Sequence, residues 1–170
     1  MQHFIKAARE EVKSTSPKKI RSLVIAPTRE LADQINEDIR TLGVGINFAS
    51  LTLYGGVNKK PQDKALAKGT DIVVACPGRL LDHLTARTVS LSNVEILVLD
   101  EADTMCDMGF FPDVRKILKY LPHQKQTLFF AATMPQEIRD LSADLLDHPK
   151  FVQIDRIAPA KTVSHAIYPT

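Results

Sequence analysis

The chain has 170 residues, of which 44% are hydrophobic, and this is enough apolar material for the core of one compact domain. Its 22 lysines and arginines nearly balance its 20 aspartates and glutamates, so a net charge of +2 excludes a strong overall attraction to nucleic acid and leaves only local basic patches. No apolar run reaches the roughly 18 residues of a transmembrane helix, and the N-terminus is too charged for a secretory signal. We therefore expect a soluble cytoplasmic protein with no membrane association. Cys76 and Cys106 lack the spacing of a zinc site.

Short β-rich runs alternate with amphipathic helical patterns along the chain. A helix is predicted over residues 4–12, although no capping residue precedes it. Helices with an apolar stripe are also predicted over residues 31–42 and 110–121 and from residue 135 onward. Six strands are predicted, at residues 22–26, 49–54, 71–75, 95–100, 126–132 and 151–155. Several of these strands are continuously apolar, which predicts an α/β domain whose mainly parallel sheet is covered on both faces.

Three carboxylates follow the most apolar of these strands, in the segment EILVLDEADTM at residues 95–105. Ligands of parallel α/β sheets bind beyond the carboxyl ends of the strands, which places Asp100 in the binding crevice. A bound divalent cation would offset the cost of desolvating this charge, and Mg²⁺ prefers one or two carboxylates together with phosphate oxygens and water. Glu101 is then placed to orient or deprotonate a water that attacks a terminal phosphate. The alternative interpretation is that the acidic pair only caps the next helix.

The acidic segment is one of five short motifs that occur together in this sequence. APTRELA at 26–32, GG at 55–56, CPGR at 76–79, DEAD at 100–103 and AAT at 131–133 occur in the order and spacing of one family. The chain resembles, over nearly its whole length, the first RecA-like domain of DEAD-box ATP-dependent RNA helicases. The segment DMGF at 107–110 is most similar to the bacterial RhlE-type branch. The resemblance implies a partial three-layer α/β/α RecA-like domain at residues 1–157 and, at 158–170, an exit segment toward a second RecA-like domain.

The resemblance also implies a role for individual residues. Asp100 would hold Mg²⁺ through water, Glu101 would activate the attacking water, and Asp103 would link the ATP site to the segment that ends at Thr133. Single-stranded or short duplex RNA would be bound by its backbone, without base reading, through Thr28, Arg29, Gly55, Gly56, Gly78 and Arg79.

Each of these motifs also has a purely structural alternative. The paired glycines serve equally as a turn, and Pro77 with Gly78 as a helix start. Arg29 suits the solvated first turn of a helix. Four lysines, at positions 59, 60, 64 and 68, are interpreted as a solvated helix face and are left out of the RNA site.

The sequence departs from the family pattern at the phosphate loop. No glycine is followed by lysine, so the Gly-Lys-Thr loop is missing. The family's upstream glutamine motif is missing as well. The resemblance to the family implies that Met1 falls in the helix just after the phosphate loop. We therefore expect ATP and Mg²⁺ binding by this chain to be weak or absent, with no efficient ATP turnover by the chain alone. The alternative function is a non-catalytic RNA- or protein-binding module derived from a truncated helicase gene. An unrelated flavodoxin-like domain is disfavoured by the ordered motifs.

The sequence also differs from the family at two positions near the predicted site and lacks one strand of the sheet. Ala131 replaces the usual serine, which is expected to remove a hydroxyl that meets Asp103, and Cys76 replaces a threonine with a weaker hydrogen-bond donor. In RecA-like sheets the phosphate-loop strand lies between the strands predicted here at 126–132 and 151–155. Its absence predicts an unpaired apolar edge that either closes within the chain or joins a second copy in a homodimer.

Overall fold

The computed structural model describes residues 18–153, which form a five-stranded parallel sheet with helices on both faces. The strands are β1 (Ser22–Ile25), β2 (Ser50–Leu53), β3 (Ile72–Ala75), β4 (Ile96–Leu99) and β5 (Gln126–Phe129). Their spatial order is β2-β3-β1-β4-β5, and every neighbouring pair is parallel. The predicted fold class is therefore confirmed. The predicted helix at 4–12 and the predicted exit segment at 158–170 lie outside the described residues.

In the described part of the chain, six helices connect and follow these strands: α1 (Arg29–Leu42), α2 (Lys59–Lys68), α3 (Pro77–Thr85), α4 (Ala102–Asp107), α5 (Phe111–Leu118) and α6 (Gln136–Leu145). The helices predicted from apolar stripes correspond to α1, α5 and α6. Local chemistry sets their starts: the Thr28 hydroxyl caps α1 by accepting the Leu31 N–H at 3.3 Å, and α3 begins on a proline, whose missing N–H costs nothing there. Helix α4 has only six residues, too few for a periodic stripe to reveal.

Alternate strand residues pack on opposite faces of the sheet. Leu23, Ile25 and their neighbours in β3 and β4 face a large core completed by residues of α3 to α6. Val24 and Val74 face a smaller core, where α1 contributes Ala32 and two partly buried isoleucines. Because both faces of the central strands are covered, both sets of side chains must be apolar, which explains the continuous apolar runs.

The sixth predicted strand is wrong in its described part. Residues 151–153 have no strand structure, and Phe151 and Val152 are 71% and 85% exposed. A strand is stable only beside a hydrogen-bonded neighbour, and among residues 18–153 the only strand paired with β5 is β4. The edge therefore does not close within the described chain, and Leu128 and Phe130 remain partly exposed beside it. None of the described helices is long and apolar enough to cross a membrane.

Candidate functional site

The segments that follow the five strands open on one side of the sheet, which we call the carboxyl rim (residues 26–29, 54–58, 76–79, 100–103 and 130–133). This follows from the parallel register, in which Ile25 is paired with both Ala75 and Leu99 at the strand ends. Leu53 and Phe129 end β2 and β5 at the same level. The predicted acidic residues and the predicted glycine and arginine motifs therefore share a rim. Had the acids lain on the opposite rim, one ligand could not have contacted both groups.

Asp100 is fixed immediately beyond the centre of the sheet. Its backbone N–H donates to the Ile25 carbonyl oxygen at 3.0 Å, which continues the pairing of β4 with β1. Its Oδ1 accepts the backbone N–H of Glu101, also at 3.0 Å. Neither carboxylate forms an ion pair with any lysine, arginine or histidine between residues 18 and 153. The pair therefore carries negative charge that no described cationic side chain neutralises.

The carboxylates at this position could bind a magnesium ion only if phosphate oxygens and water supplied the remaining ligands. Within residues 18–153, no three His, Cys, Asp or Glu side chains come together as a metal-binding group. Mg²⁺ commonly takes one or two carboxylates and completes its shell with phosphate oxygens and water. Asp100 and Glu101 thus fit a magnesium–nucleotide complex better than a free metal ion.

Glu101 has an unusual backbone conformation. Its φ of 48° and ψ of 52° lie in the left-handed region, which costs a non-glycine residue about 1 kcal/mol or more. The side chain makes no capping hydrogen bond to α4 and is exposed on the rim. The helix-cap alternative therefore finds no support at Glu101. Residues held in strained conformations cluster at functional sites, where the surrounding fold keeps them in place.

Asp103 joins the acidic segment to the segment after β5. Its Oδ2 accepts the Thr133 backbone N–H at 2.8 Å and the Thr133 hydroxyl at 3.0 Å. Burial disfavours the charged form of Asp103, but the hydrogen bonds from Thr133 outweigh this and hold the pKa of its carboxyl below the ordinary value. The expected loss of a hydroxyl partner through Ala131 is wrong, because the hydroxyl of Thr133 fills that role.

Arg29 and Gly56 lie against each other on the rim. Gly56 has a φ of 77°, and a Cβ placed there would lie 2.8 Å from the Arg29 Nη1 atom. The positive φ favours glycine here, and the absence of a side chain leaves room for the Arg29 guanidinium in its present position. Gly55, beside it, differs: a Cβ added there would meet no atom within 4 Å.

Arg79 holds the same glycine loop from the other side. Its Nη2 donates to the Val57 carbonyl oxygen at 3.1 Å, and its Nη1 is buried with no hydrogen-bond partner among residues 18–153. With 12% of its side chain exposed, Arg79 is at least a positioning residue for residues 55–57. This role was missed in the sequence, because a contact across 22 residues leaves no local pattern.

Gly78 and Cys76 flank the start of α3 differently. A Cβ added at Gly78 would meet no atom within 4 Å, so the backbone there faces open space. Cys76 is buried and makes no side-chain capping bond. Burial, followed by the nearby charge of Glu30, raises the pKa of its thiol to about 11, so the thiol stays protonated near neutral pH.

Comparisons with known proteins agree on one family. A family model described as DEAD/DEAH box helicase matches residues 3–141. The chain is 52% identical over 135 residues to DEAD-box ATP-dependent RNA helicase 40 of Oryza sativa subsp. japonica, an alignment that covers 79% of this chain and 17% of that protein. It is 42% identical over 156 residues to DEAD-box ATP-dependent RNA helicase CshA of Bacillus subtilis, which covers 92% of this chain and 31% of that protein.

A solved structure is similar over most of the chain. The crystal structure of a DEAD box protein from the hyperthermophile Methanococcus jannaschii superposes with a TM-score of 0.74 at 44% sequence identity. The match covers 77% of this chain and 36% of that one. In each of these comparisons, this chain spans well under half of the related protein.

Proposed function

The chain belongs to the DEAD/DEAH box helicase family, and from that membership we propose that it is a partial first RecA-like core domain of an ATP-dependent RNA helicase. The observation that carries the proposal is the sharing of one rim by the acid pair and the glycine and arginine segments. In a longer protein, this domain would clamp RNA against a second RecA-like domain. The cytoplasmic location and the RhlE-type branch belong to the proposal and rest on sequence composition and DMGF alone.

We propose that the acidic segment and its hydrogen-bond partner Thr133 form the nucleotide-binding part of the site. Asp100 would hold Mg²⁺ through water, and the ion would neutralise the phosphates and the charge that develops during hydrolysis. Glu101, whose side chain is exposed and has no ion-pair partner among residues 18–153, would accept a proton from the attacking water. Asp103 is hydrogen-bonded to Thr133 and would therefore couple nucleotide binding at this site to the conformation of the segment after β5.

For RNA, we assign the segments after β1, β2 and β3. Arg29 brings charge, Thr28 a hydroxyl, and Gly55 and Gly78 leave backbone open to a phosphate. Gly56 gives room to Arg29, and Arg79 holds the loop that contains both paired glycines. These groups suit phosphate oxygens and carry no base-reading pattern, so binding should depend on the RNA backbone and not on sequence.

The chain alone should not complete the reaction. Its 170 residues contain no Gly-Lys pair, so it offers no phosphate-loop lysine to reach the outer phosphates of ATP. We propose weak or absent ATP and Mg²⁺ binding and no efficient turnover by this chain. The second candidate function is a non-catalytic RNA- or protein-binding module.

A matched pair of arginine variants tests the RNA half. Arg29 and Arg40 stand at opposite ends of α1, with Arg40 near the far rim, where it bonds Ser50. Loss of one charged hydrogen bond, worth about 1.5–3 kcal/mol, should weaken RNA binding by Arg29→Gln about 10- to 100-fold. Arg40→Gln, which removes the same charge, should bind as the original protein does. Fluorescence anisotropy with labelled single-stranded RNA at low salt measures both, and equal effects would contradict the assignment.

Nucleotide binding is tested separately, by titrating ATP with and without Mg²⁺ and by measuring RNA-stimulated phosphate release. Turnover near that of a complete DEAD-box helicase would refute the proposed disablement. If magnesium-dependent ATP binding is measurable, Asp100→Asn should weaken it, because the variant removes the charge that faces the ion. RNA binding without ATP turnover would favour the non-catalytic module, and failure to bind RNA would leave only the protein-binding alternative.

We also propose a homodimer through the β5 edge. Among residues 18–153, β5 has a neighbouring strand on one side only, and the apolar Leu128 and Phe130 lie partly exposed there. An unpaired strand edge readily pairs with another chain. Light scattering should show a dimer that Leu128→Lys dissociates, because a buried lysine at the junction opposes pairing. A monomer at all concentrations would overturn this proposal and leave the RNA proposal untouched.

A further inference from the structure

Helix α2 has one face that carries only positive charge. Gln62 is buried, and Leu66 packs partly buried against the large core. The opposite face exposes Lys60, Lys64 and Lys68, which we call the lysine stripe. At 100° per residue, positions four apart are offset by 40°, so the three lysines lie within an 80° sector of the helix surface.

The described protein leaves the charge of this stripe uncompensated. The ammonium groups of the three lysines form no ion pair within residues 18–153, and the only side-chain hydrogen bond of these lysines there is the N-cap bond from the Lys60 backbone N–H to Asn58 Oδ1. The only carboxylate of α2 is Asp63, which is turned away from them: its Oδ1 is buried, 3.5 Å from His83 Nδ1 in α3. An acid four residues from a lysine stabilises an exposed helix, but no acid lies four residues from Lys60, Lys64 or Lys68.

The stripe is continuous with the carboxyl rim. Helix α2 starts at Lys59, directly after the loop that contains Gly55 and Gly56, and its N-cap is Asn58. It packs beside β2, which is the other edge strand of the sheet, so the stripe runs from the rim down the outer flank of the domain. From Lys60 to Lys68 it extends about 12 Å, at 1.5 Å per residue.

We propose that the lysine stripe is a second phosphate track, which binds the flanking segment of an RNA whose central nucleotides lie on the carboxyl rim. The proposal rests on the RNA-binding function proposed above and adds a binding surface to it. The proposed occupant is an anionic nucleic-acid backbone, because the three unpaired ammonium groups of the lysine stripe complement a row of phosphates. The stripe also begins where the glycine loop of the rim ends. The track gives charge without base contacts, so it lengthens the footprint without adding sequence preference.

Two triple variants test the track. Lys60→Gln, Lys64→Gln and Lys68→Gln together remove the stripe. Arg115→Gln, Lys116→Gln and Lys119→Gln together remove the same charge from around α5 and serve as the control. Each protein is titrated with a short RNA of about 6 nucleotides, which the rim alone can hold, and with one of about 20 nucleotides, across a salt series.

The track predicts a length-dependent change in salt dependence. For single strands the slope of log K against log salt is about −0.7 per phosphate contact, so losing three contacts should reduce the slope for the long RNA by about 2. At roughly 0.1 M salt, the stripe variant should bind the long RNA at least about tenfold more weakly. Its affinity for the short RNA, and both affinities of the control variant, should not change.

The outcomes separate this inference from the proposed function. If both RNAs bind and the stripe variant behaves as the control does, the track is overturned while the rim assignment stands. Equal weakening for short and long RNA also overturns it, because the lysines would then act only through general charge. If the unaltered protein binds neither RNA, both the rim and the track fail.

Discussion

Gly78→Ala is predicted to strengthen the fold and weaken RNA binding. Gly78 is the second residue of α3, and a Cβ built there meets no atom of the described protein within 4 Å. Alanine should therefore fit without strain. It also restricts the unfolded chain more than glycine does and has a higher helix propensity, so the free energy of unfolding should rise by about 0.5–1 kcal/mol.

The effect on RNA has the opposite sign if the open space above Gly78 holds a phosphate. The new methyl group would occupy the volume from which the phosphate approaches the backbone. Losing one hydrogen bond to a charged acceptor costs about 1.5–3 kcal/mol, so the dissociation constant should rise about 10- to 100-fold. Opposite signs matter here, because a damaged fold cannot be the cause of weaker binding by a more stable protein.

The assay combines urea denaturation with RNA anisotropy on the same samples. The control is Thr41→Ala, an exposed position in the last turn of α1, near the far rim, where alanine also has the higher helix propensity. This variant should gain a few tenths of a kcal/mol of stability and bind RNA unchanged. Stabilisation of Gly78→Ala with unchanged RNA affinity would refute the placement of RNA at this residue.

Two further predictions concern stability. Gly69→Ala should lower the free energy of unfolding by more than about 2 kcal/mol, because the added Cβ would overlap the backbone of Lys18. The control is Gly45→Ala, which has nearly the same φ but faces open space and therefore measures only the smaller cost of the backbone conformation. Equal urea midpoints for the two variants would contradict this reasoning. His83 is fully buried, with Nδ1 2.8 Å from the Thr88 hydroxyl, and burial followed by nearby positive charge lowers its pKa. The folded state therefore binds fewer protons than the unfolded state below about pH 6.5, so unfolding free energy should fall on acidification from about pH 7 to 5, and His83→Gln should flatten that pH dependence.

The local parts of the fold follow from residues close together in sequence. Continuous apolar runs predicted β1 and β3, and the stripe that begins at Leu31 predicted α1, because the spacing of apolar side chains records which faces are buried. The rule that parallel sheets bind ligands beyond their carboxyl ends predicted that Asp100 lies in the binding crevice. The strand predicted at 151–155 failed in its described part because an extended apolar run also needs a neighbour, which local sequence does not record.

The contacts that shape the candidate site depend on tertiary structure. Arg79 reaches the Val57 carbonyl across 22 residues, and Thr133 supplies the hydroxyl for Asp103 across 30. The turning of Asp63 toward α3, which leaves the lysine stripe unpaired, also depends on how two helices pack. Sequence alone determined the elements, the order of the motifs and the chemistry of the side chains, because propensities and caps act within a few residues. Only the tertiary structure decided which of those side chains meet, because long-range partners are selected by strand order and helix packing and not by spacing along the chain.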